Sequence, residues 1–426
     1  MLDLNLIRHN PDTVRQALLK RMDAVDFTEL LSWDQLRRET IVELEALKAK
    51  KNTVSKEIPL LKKQGMNVED CYDEMKKVSE LIRELETSLG QYEEKIDKFL
   101  IALPNIPDED VLEGGKENNK VVREFGVKPH FDFDIKDHVE LVKLHDLVDY
   151  ERGAKLSGNG FWVYKGYGAL LEWALLNYFV EEHLKDGYEF ILPPHILSYE
   201  CGLAAGQFPK FEDEVFKIDD NKDKQKEQFL LPTSETALIN LHRGEILKEQ
   251  ELPKKYFAYT PCYRVEAGSY RASEKGMIRG HQFNKVEMFQ YTKPEDSDAA
   301  LEELIGKAER LVQGLNLHYR LTKLAAKDCS ASMAKTYDIE IWIPSMNDYK
   351  EVSSASNARD YQARRGLIRF RRDSNKKVEY VNTLNASGLA TSRLIPAIVE
   401  TMQQADGSIV VPEVLRKWVG KDVLKL

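Results

Sequence analysis

A chain of 426 residues and 49.1 kDa is too long for one ordinary core, so two or three domains are expected and a small binding module is excluded. Hydrophobic residues at 42 % supply a sizeable core, and charged residues at 31 % suggest long solvated helices, which argues against bulk disorder. With 62 Lys plus Arg against 71 Asp plus Glu the net charge is -9, so a polyanion must be met by a local basic surface and a nucleic-acid coating protein is disfavoured.

The amino terminus, MLDLNLIRHNPDTVRQALLKR, carries charges every few residues and lacks the apolar core and cleavage site of a secretory signal. No run approaches the roughly 18 apolar residues that a bilayer span requires. Cys71, Cys201, Cys262 and Cys329 lie far apart, with no CxxC pair and no zinc-ribbon spacing. A cytoplasmic protein with no membrane association, no disulfide framework and no structural zinc is expected.

From Trp33 onward, apolar or tolerant residues at Trp33, Thr40, Leu44, Leu47, Val54, Ile58 and Leu61 follow four-three spacing. After a break at Gln64, Gly65, Met66 and Asn67 the spacing resumes at Met75, Val78, Ile82, Leu85, Leu89, Tyr92, Ile96 and Phe99. Each seam is too narrow to be stable alone, and the short connection favours folding back, so an antiparallel two-helix hairpin over about 30–100 is predicted. About 30 residues per helix at roughly 1.5 Å each make an arm on the order of 45 Å long. Pro59, which has no N–H for the ladder, should bend the first helix near the tip. Lys48, Lys50, Lys51, Lys56, Lys62 and Lys63 make that helix basic, while Glu69, Asp70, Asp73 and Glu74 open the second. Cross-strand ion pairs on a solvated coiled coil, or a basic edge for RNA phosphates, both fit; periodicity does not choose between them.

Leu103 to Pro107 ends the hairpin, and the polar stretch through Gly114 to Asn119 reads as a linker, which divides the chain into domains 1–105 and 106–426. Beyond it, helical stretches such as Ala169 to Leu184 alternate with strands of period two, so an antiparallel sheet backed by helices is preferred over a parallel one. Arg264 and Glu266 share one side of a strand that begins near Lys254. After a loop through Gly268, Ser269, Arg271 and Gly276, the residues Arg279, His281, Phe283, Lys285 and Glu287 share one face of the return. An Arg-x-Glu pair alone suits a surface ion pair. Two such strands side by side make a poor core and a good nucleotide site, because the charges need ligand partners.

Thr260-Pro-Cys-Tyr-Arg-Val-Glu-Ala-Gly-Ser269, the loop and His281-Gln-Phe-Asn-Lys-Val-Glu287 resemble motif 2 of class II aminoacyl-tRNA synthetases in the seryl-tRNA synthetase form. Leu231-Pro-Thr-Ser-Glu235 is similar to that family's serine-binding loop, Ala334 to Pro344 with Glu351 to Asn357 to its next blocks, Asn385 to Arg393 to motif 3, and Gly187 to Pro194 to motif 1 at the dimer interface. The amino-terminal hairpin stands where the family carries its tRNA-binding arm. The resemblance covers essentially the whole chain in order. It departs from the usual pattern at Val265, at Ser234 within Thr-Ser-Glu, at Ser392 before Arg393, in the block Lys327 to Met333 and in the loop Tyr270 to Lys275.

The resemblance implies an α+β fold, with the coiled-coil arm followed by a class II catalytic domain of central antiparallel sheet and flanking helices, assembled as a homodimer. It implies a serine–tRNA ligase that forms seryl-adenylate from L-serine and ATP and transfers the seryl group to tRNA(Ser), with tRNA(Sec) as a further candidate acceptor. Arg264 would grip the α-phosphate, Glu266 the adenine amino group, and Phe283 and Arg393 would sandwich the ring. Val265, Val352 and Ser353 would complete the ATP contacts, and Glu351 and Ser354 would hold Mg2+ on the phosphates. Thr233, Ser234, Glu235, Glu287 and Ser387 would contact serine, although Thr233 also suits a helix N-cap and Ser387 an ordinary loop. His281 suits a structural hydrogen bond. The serine carboxylate is already a nucleophile, so Arg264 and Arg393 act by positioning and charge stabilisation and no acid–base pair is required. A relative with a non-tRNA acceptor, or a catalytically silent RNA-binding scaffold, are the rival readings.

Overall fold

The computed structural model describes residues 1–65, 67–218, 227–265 and 276–426. Two compact units are present: one comprises Leu2–Leu19 and Asp23–Pro104, the other Met1, Lys20–Met22 and Asn105–Leu426.

In the first unit, α1 (Leu4–His9) and α2 (Pro11–Leu19) precede the long helices α3 (Thr28–Lys63) and α4 (Glu69–Ala102). Asp26 starts α3 by accepting the Thr28 N–H and hydroxyl at 2.9 and 2.6 Å. Gly65, at φ +72, takes the left-handed turn that follows α3. Lys62 and Lys63 at the end of α3, and Glu69 and Asp70 at the start of α4, complement the helix dipoles. Leu44, Met75, Val78 and Ile82 form the buried seam, with Leu47, Val54, Leu85 and Leu89 packed against it, so the four-three spacing identifies the packed face. At roughly 1.5–3 kcal/mol per buried side chain this seam holds the hairpin closed. The helix runs unbroken through Pro59. Cross-helix pairs Lys48–Glu86 at 2.7 Å and Lys50–Glu74 at 2.5 Å occupy its flanks. Asp34 lies fully buried in this unit; burial opposes its charge, but hydrogen bonds from Arg8 and Arg37 outweigh that and hold its carboxyl below the usual range.

The second unit is built on eight strands: β1 (Lys120–Phe125), β2 (Glu189–Ile191), β3 (Lys254–Tyr263), β4 (Gln282–Thr292), β5 (Tyr319–Lys323), β6 (Lys335–Ile343), β7 (Asp348–Arg359) and β8 (Asn382–Ala390). Their order is β1-β5-β6-β7-β8-β4-β3-β2, antiparallel throughout except for β2, which pairs parallel with β3 at the edge. Helices α5 (Tyr167–Lys185), α6 (Ser234–Leu238), α7 (Ser297–Gly314) and α8 (Thr391–Thr401) accompany the sheet. The expected α+β architecture of helical arm and antiparallel sheet is therefore present.

Period-two alternation decides what each sheet face does. Val286 and Met288 of β4, Leu384 and Ala386 of β8, and Ala355 of β7 pack with Leu175, Leu304 and Ile398 of the helices. The alternating residues of β4 turn the other way, and there Phe289 and Tyr291 close a second core with Leu238, Ile239 and Phe370. Between the two ends of that second face lies the polar region described next.

The stretch read as a linker is a packed part of the second unit. Asn105 is buried and donates to the carbonyls of Ser332 and Ala358 at 2.9 and 2.8 Å, Val111 is buried, and the N–H groups of Ala326 and Lys327 donate to Leu112 and Gly114 at 2.8 Å. Its polar composition hid this, because the anchoring runs through backbone groups, the Asn105 and Asn119 amides, and ion pairs of Asp108 with Arg359 and of Asp110 with Lys335.

Candidate active site

A cavity of about 460 Å³ opens on the second sheet face, and a smaller one of about 80 Å³ adjoins it; Arg264, Arg279, Lys285, Glu351, Ser387 and Arg393 line both. Strands β3 and β4 supply one wall. Their register sets Thr260 opposite Lys285, Cys262 opposite Phe283 and Ala258 opposite Glu287, so one parity of each strand faces the same side. Arg264, one step past β3, continues that parity: its N–H donates to the His281 carbonyl at 2.9 Å and its guanidinium lies 5.1 Å from the Phe283 ring centre. Arg264 and Glu287 thus belong to one sheet surface.

The second wall comes from β7 and β8, and each carries a bulge that the alternation rule does not foresee. Ile339 of β6 pairs with Ser353 and Glu340 with Glu351, which leaves Val352 as an extra residue in β7. Glu351 and Ser354, three apart, would otherwise take opposite faces; with the extra residue both line the larger cavity. In β8, Lys285 pairs with Ala390 and Glu287 with Ser387, so Gly388 and Leu389 oppose Val286 alone. Leu389 adopts φ +86 there, and a Cβ on Gly388 would fall 2.3 Å from His183 Nε2, so only glycine allows this approach.

Charge is divided across the cavity. On one side Arg393 donates from Nη1 to the Glu351 carbonyl at 2.7 Å and from Nε to the Ile278 carbonyl at 3.2 Å, which holds its guanidinium in place near Phe283 and Arg264. On the other, Thr233 caps α6, its hydroxyl accepting the Glu235 N–H at 3.3 Å, and also lines the cavity, so the two readings of this residue are compatible. Glu287 is fully buried, accepts from Asn385 Nδ2 at 3.0 Å and pairs with Lys285 Nζ at 2.6 Å. Glu235 accepts from Gln362 Nε2 at 2.7 Å; burial, with the Glu287 charge adding to it, pushes its carboxyl up to about 7. Burial and the neighbouring Glu351 charge also push Asp338 well above the carboxylate range. Its Oδ1 has no hydrogen-bond partner among the described residues.

Thr233, Glu235, Arg264, Phe283, Glu351, Val352, Ser354, Ser387 and Arg393 all line one or both cavities. Ser234, Ser353 and Val265 are placed differently. The Ser234 hydroxyl lies 2.6 Å from that of Thr260, Ser353 Oγ donates to the Ser387 carbonyl at 2.6 Å, and the Val265 N–H donates to the Glu214 carbonyl at 3.0 Å. These three brace the walls from within or behind. Glu266 and the loop Tyr270 to Lys275 lie outside the described residues. His281 makes the structural bond expected of it, its Nδ1 lying 3.0 Å from the Arg264 carbonyl. Unassigned from sequence were Lys285 and Arg279, although both share the face of Phe283, as well as Asn385, which alternates with Ser387, and Gln207, which no pattern marks.

Residues 1–107 match the seryl-tRNA synthetase N-terminal domain, and residues 216–402 match the tRNA synthetase class II core domain (G, H, P, S and T). The chain is 74 % identical over 425 residues to serine–tRNA ligase 2 of Clostridium acetobutylicum, with both chains fully covered. The crystal structure of seryl-tRNA synthetase from Pyrococcus horikoshii complexed with ATP superposes with a TM-score of 0.92 at 34 % identity, covering 100 % of this chain and 99 % of that one. The cytoplasmic serine–tRNA ligase of Naegleria fowleri in complex with AMP superposes with a TM-score of 0.87 at 29 % identity over the same shares. With two domain matches in the expected order and a near-complete relative at this identity, the chain belongs to the seryl-tRNA synthetase family of class II aminoacyl-tRNA synthetases.

Proposed function

We propose that the protein is a serine–tRNA ligase that makes seryl-adenylate from ATP and L-serine in the cavity between β3–β4 and β7–β8, then esterifies the 3′ end of tRNA(Ser). The observation that carries this reading is the division of charge around one cavity: Arg264 and Arg393 on the side of Phe283, and Glu235 on the other, with Glu287 buried behind the lining residue Lys285. A nucleotide triphosphate and a small zwitterion meet those needs together.

In this reading Phe283 stacks on adenine beneath the Arg393 guanidinium, with Val352 at the ring's edge, and Arg264 forks onto the α-phosphate. Glu266 is assigned to the adenine amino group. Serine enters with its ammonium toward Thr233 Oγ1 and Glu235 and its hydroxyl toward Glu287 and Ser387, while Ser234, Ser353 and Val265 brace these groups. Its carboxylate oxygen attacks the α-phosphorus in line, the new P–O bond forms, and the bond to the pyrophosphate oxygen breaks. A terminal ribose hydroxyl of the tRNA next attacks the seryl carbonyl carbon and AMP leaves. The protein contributes orientation and fixed charge.

Glu351 and Ser354, which line the larger cavity, offer oxygen donors suited to Mg2+. A bound Mg2+ would neutralise phosphate charge. Alanine and glycine would leave Glu287 without its hydroxyl partner, which disfavours them by polar accounting.

The α3–α4 hairpin is assigned to tRNA binding, with residues 1–105 as the tRNA-binding domain and 106–426 as the catalytic one; tRNA(Sec) is a second acceptor to be tried. Half-exposed Leu170 and Trp173 on α5, with Phe190 and Leu192 at β2, supply an apolar face that supports a homodimer. No helix among the described residues is long and apolar enough to cross a membrane, in keeping with a cytoplasmic site of action. Serine-dependent exchange of labelled pyrophosphate into ATP tests the proposal. Exchange with serine alone among the twenty amino acids is expected; no exchange with any would remove the ligase reading and favour the silent scaffold.

A further inference from the structure

Lys285 is a buried cation whose place in the cavity the proposed reaction has not used. Its side chain is 8 % exposed, and its Nζ stands 2.6 Å from both Thr233 Oγ1 and Glu287 Oε2. A buried ammonium is tolerated only with such partners, and here they come from two different elements, the cap of α6 and strand β4.

These are the oxygens that the proposed function gives to serine. A hydroxyl oxygen has two acceptor positions, and both of those on Thr233 are taken: one by the Glu235 N–H that starts α6, the other by Lys285. The Glu287 carboxylate is likewise occupied, one oxygen by a hydrogen bond from Asn385 and the other by the Lys285 charge alone, as Oε2 accepts no hydrogen bond among the described residues. A second ammonium can reach Thr233 only if one donor leaves. The helix N–H is fixed by the backbone, whereas a lysine side chain is a point charge on a flexible four-carbon stem.

The direction in which it can leave is also given. Lys285 lines both cavities, and the smaller one is bounded by Arg264, Phe283 and Arg393, the side assigned to nucleotide. Without an anion that side repels a further cation; with phosphates present it attracts one.

We infer that Lys285 is a resident cation that holds the ammonium seat of the empty pocket, and that serine displaces it toward the α-phosphate, where it joins Arg264 at the reacting centre. The inference rests on the proposed ligase reading. It makes serine and nucleotide bind with synergy, since each favours the lysine position the other needs.

The test titrates serine calorimetrically into the full-length protein with and without a non-hydrolysable ATP analogue, for the wild type and for Lys285→Met. In the wild type, serine should bind at least tenfold more tightly with the analogue present. Lys285→Met should bind serine several-fold more tightly than wild type without nucleotide, lose the synergy to within twofold, and fall at least a hundredfold in exchange kcat with no rise in KM for serine. Unchanged or weaker nucleotide-free serine binding by Lys285→Met would make the lysine a structural brace and overturn the inference. So would equal serine affinity of the wild type with and without the analogue, a result that decides the matter even if a melting curve shows the variant unfolded. Serine-dependent exchange by the wild type separates the two levels: its absence defeats the ligase reading, whereas exchange without synergy defeats only the role of Lys285.

Discussion

Burial and the Glu287 charge push the Glu235 carboxyl up to about 7, so this assigned serine contact titrates near neutrality. Its ionised form is the one that receives an ammonium. As pH falls through 7 the free site takes up a proton that serine must expel, so KM for serine should rise about tenfold per pH unit below 7 while KM for ATP stays level. Exchange kinetics between pH 5.5 and 8.5 check this, and Glu235→Gln should abolish that acid limb while raising KM throughout. Which residues face one another was legible from parity alone for Phe283, Lys285 and Glu287, because β4 is regular over that span. Orientation was not legible for Ser234 or Ser353. Their hydroxyls bond Thr260 and the Ser387 carbonyl, and a small side chain carries no periodic trace of the partner it chooses.

Bulges explain why the sheet was readable in outline and not in register. Alternation identified strands and their antiparallel character, but an added residue such as Val352 reverses parity partway along β7, and nothing in local composition announces it. The packing of α8 was equally hidden. Glu400, fully buried near its end, accepts four hydrogen bonds: from the backbone N–H of His138 at 2.8 Å, from its ring nitrogen at 2.7 Å, and from the N–H and hydroxyl of Ser345, both at 2.8 Å. It therefore joins α8 to the first residue of the helix His138–Leu144 and to the short 3-10 turn Pro344–Met346. Replacing a carboxylate that faces only donors with an amide sets N–H against N–H, so Glu400→Gln should lower stability by about 3 kcal/mol. A loss of unfolding free energy below about 1 kcal/mol in denaturant titrations would show the two segments to be held by other contacts.

Taken as a whole, the protein displays its helical unit more openly in sequence than its sheet unit, since α3 and α4 are long, local and strongly periodic, whereas β1 to β8 pair across wide separations. The hairpin's flanking Lys48–Glu86 and Lys50–Glu74 pairs show that part of its positive charge serves the coiled coil itself. If the arm also carries tRNA, deletion of residues 34–99 should leave pyrophosphate exchange within about twofold and reduce tRNA charging at least a hundredfold, equivalent to about 2.7 kcal/mol of transition-state binding. Equal charging by the shortened protein would end that assignment. The three-residue strand β2 has a sheet neighbour on one flank alone among the described residues, and Phe190 and Leu192 beside it are solvent-accessible. An uncovered ribbon of this kind recruits whatever extended peptide it meets, so self-pairing and precipitation compete for it. Colloidal stability would then be a property of concentration: the aggregated fraction seen by light scattering should grow as the protein is concentrated and fall on dilution, since sticking requires two such edges to meet.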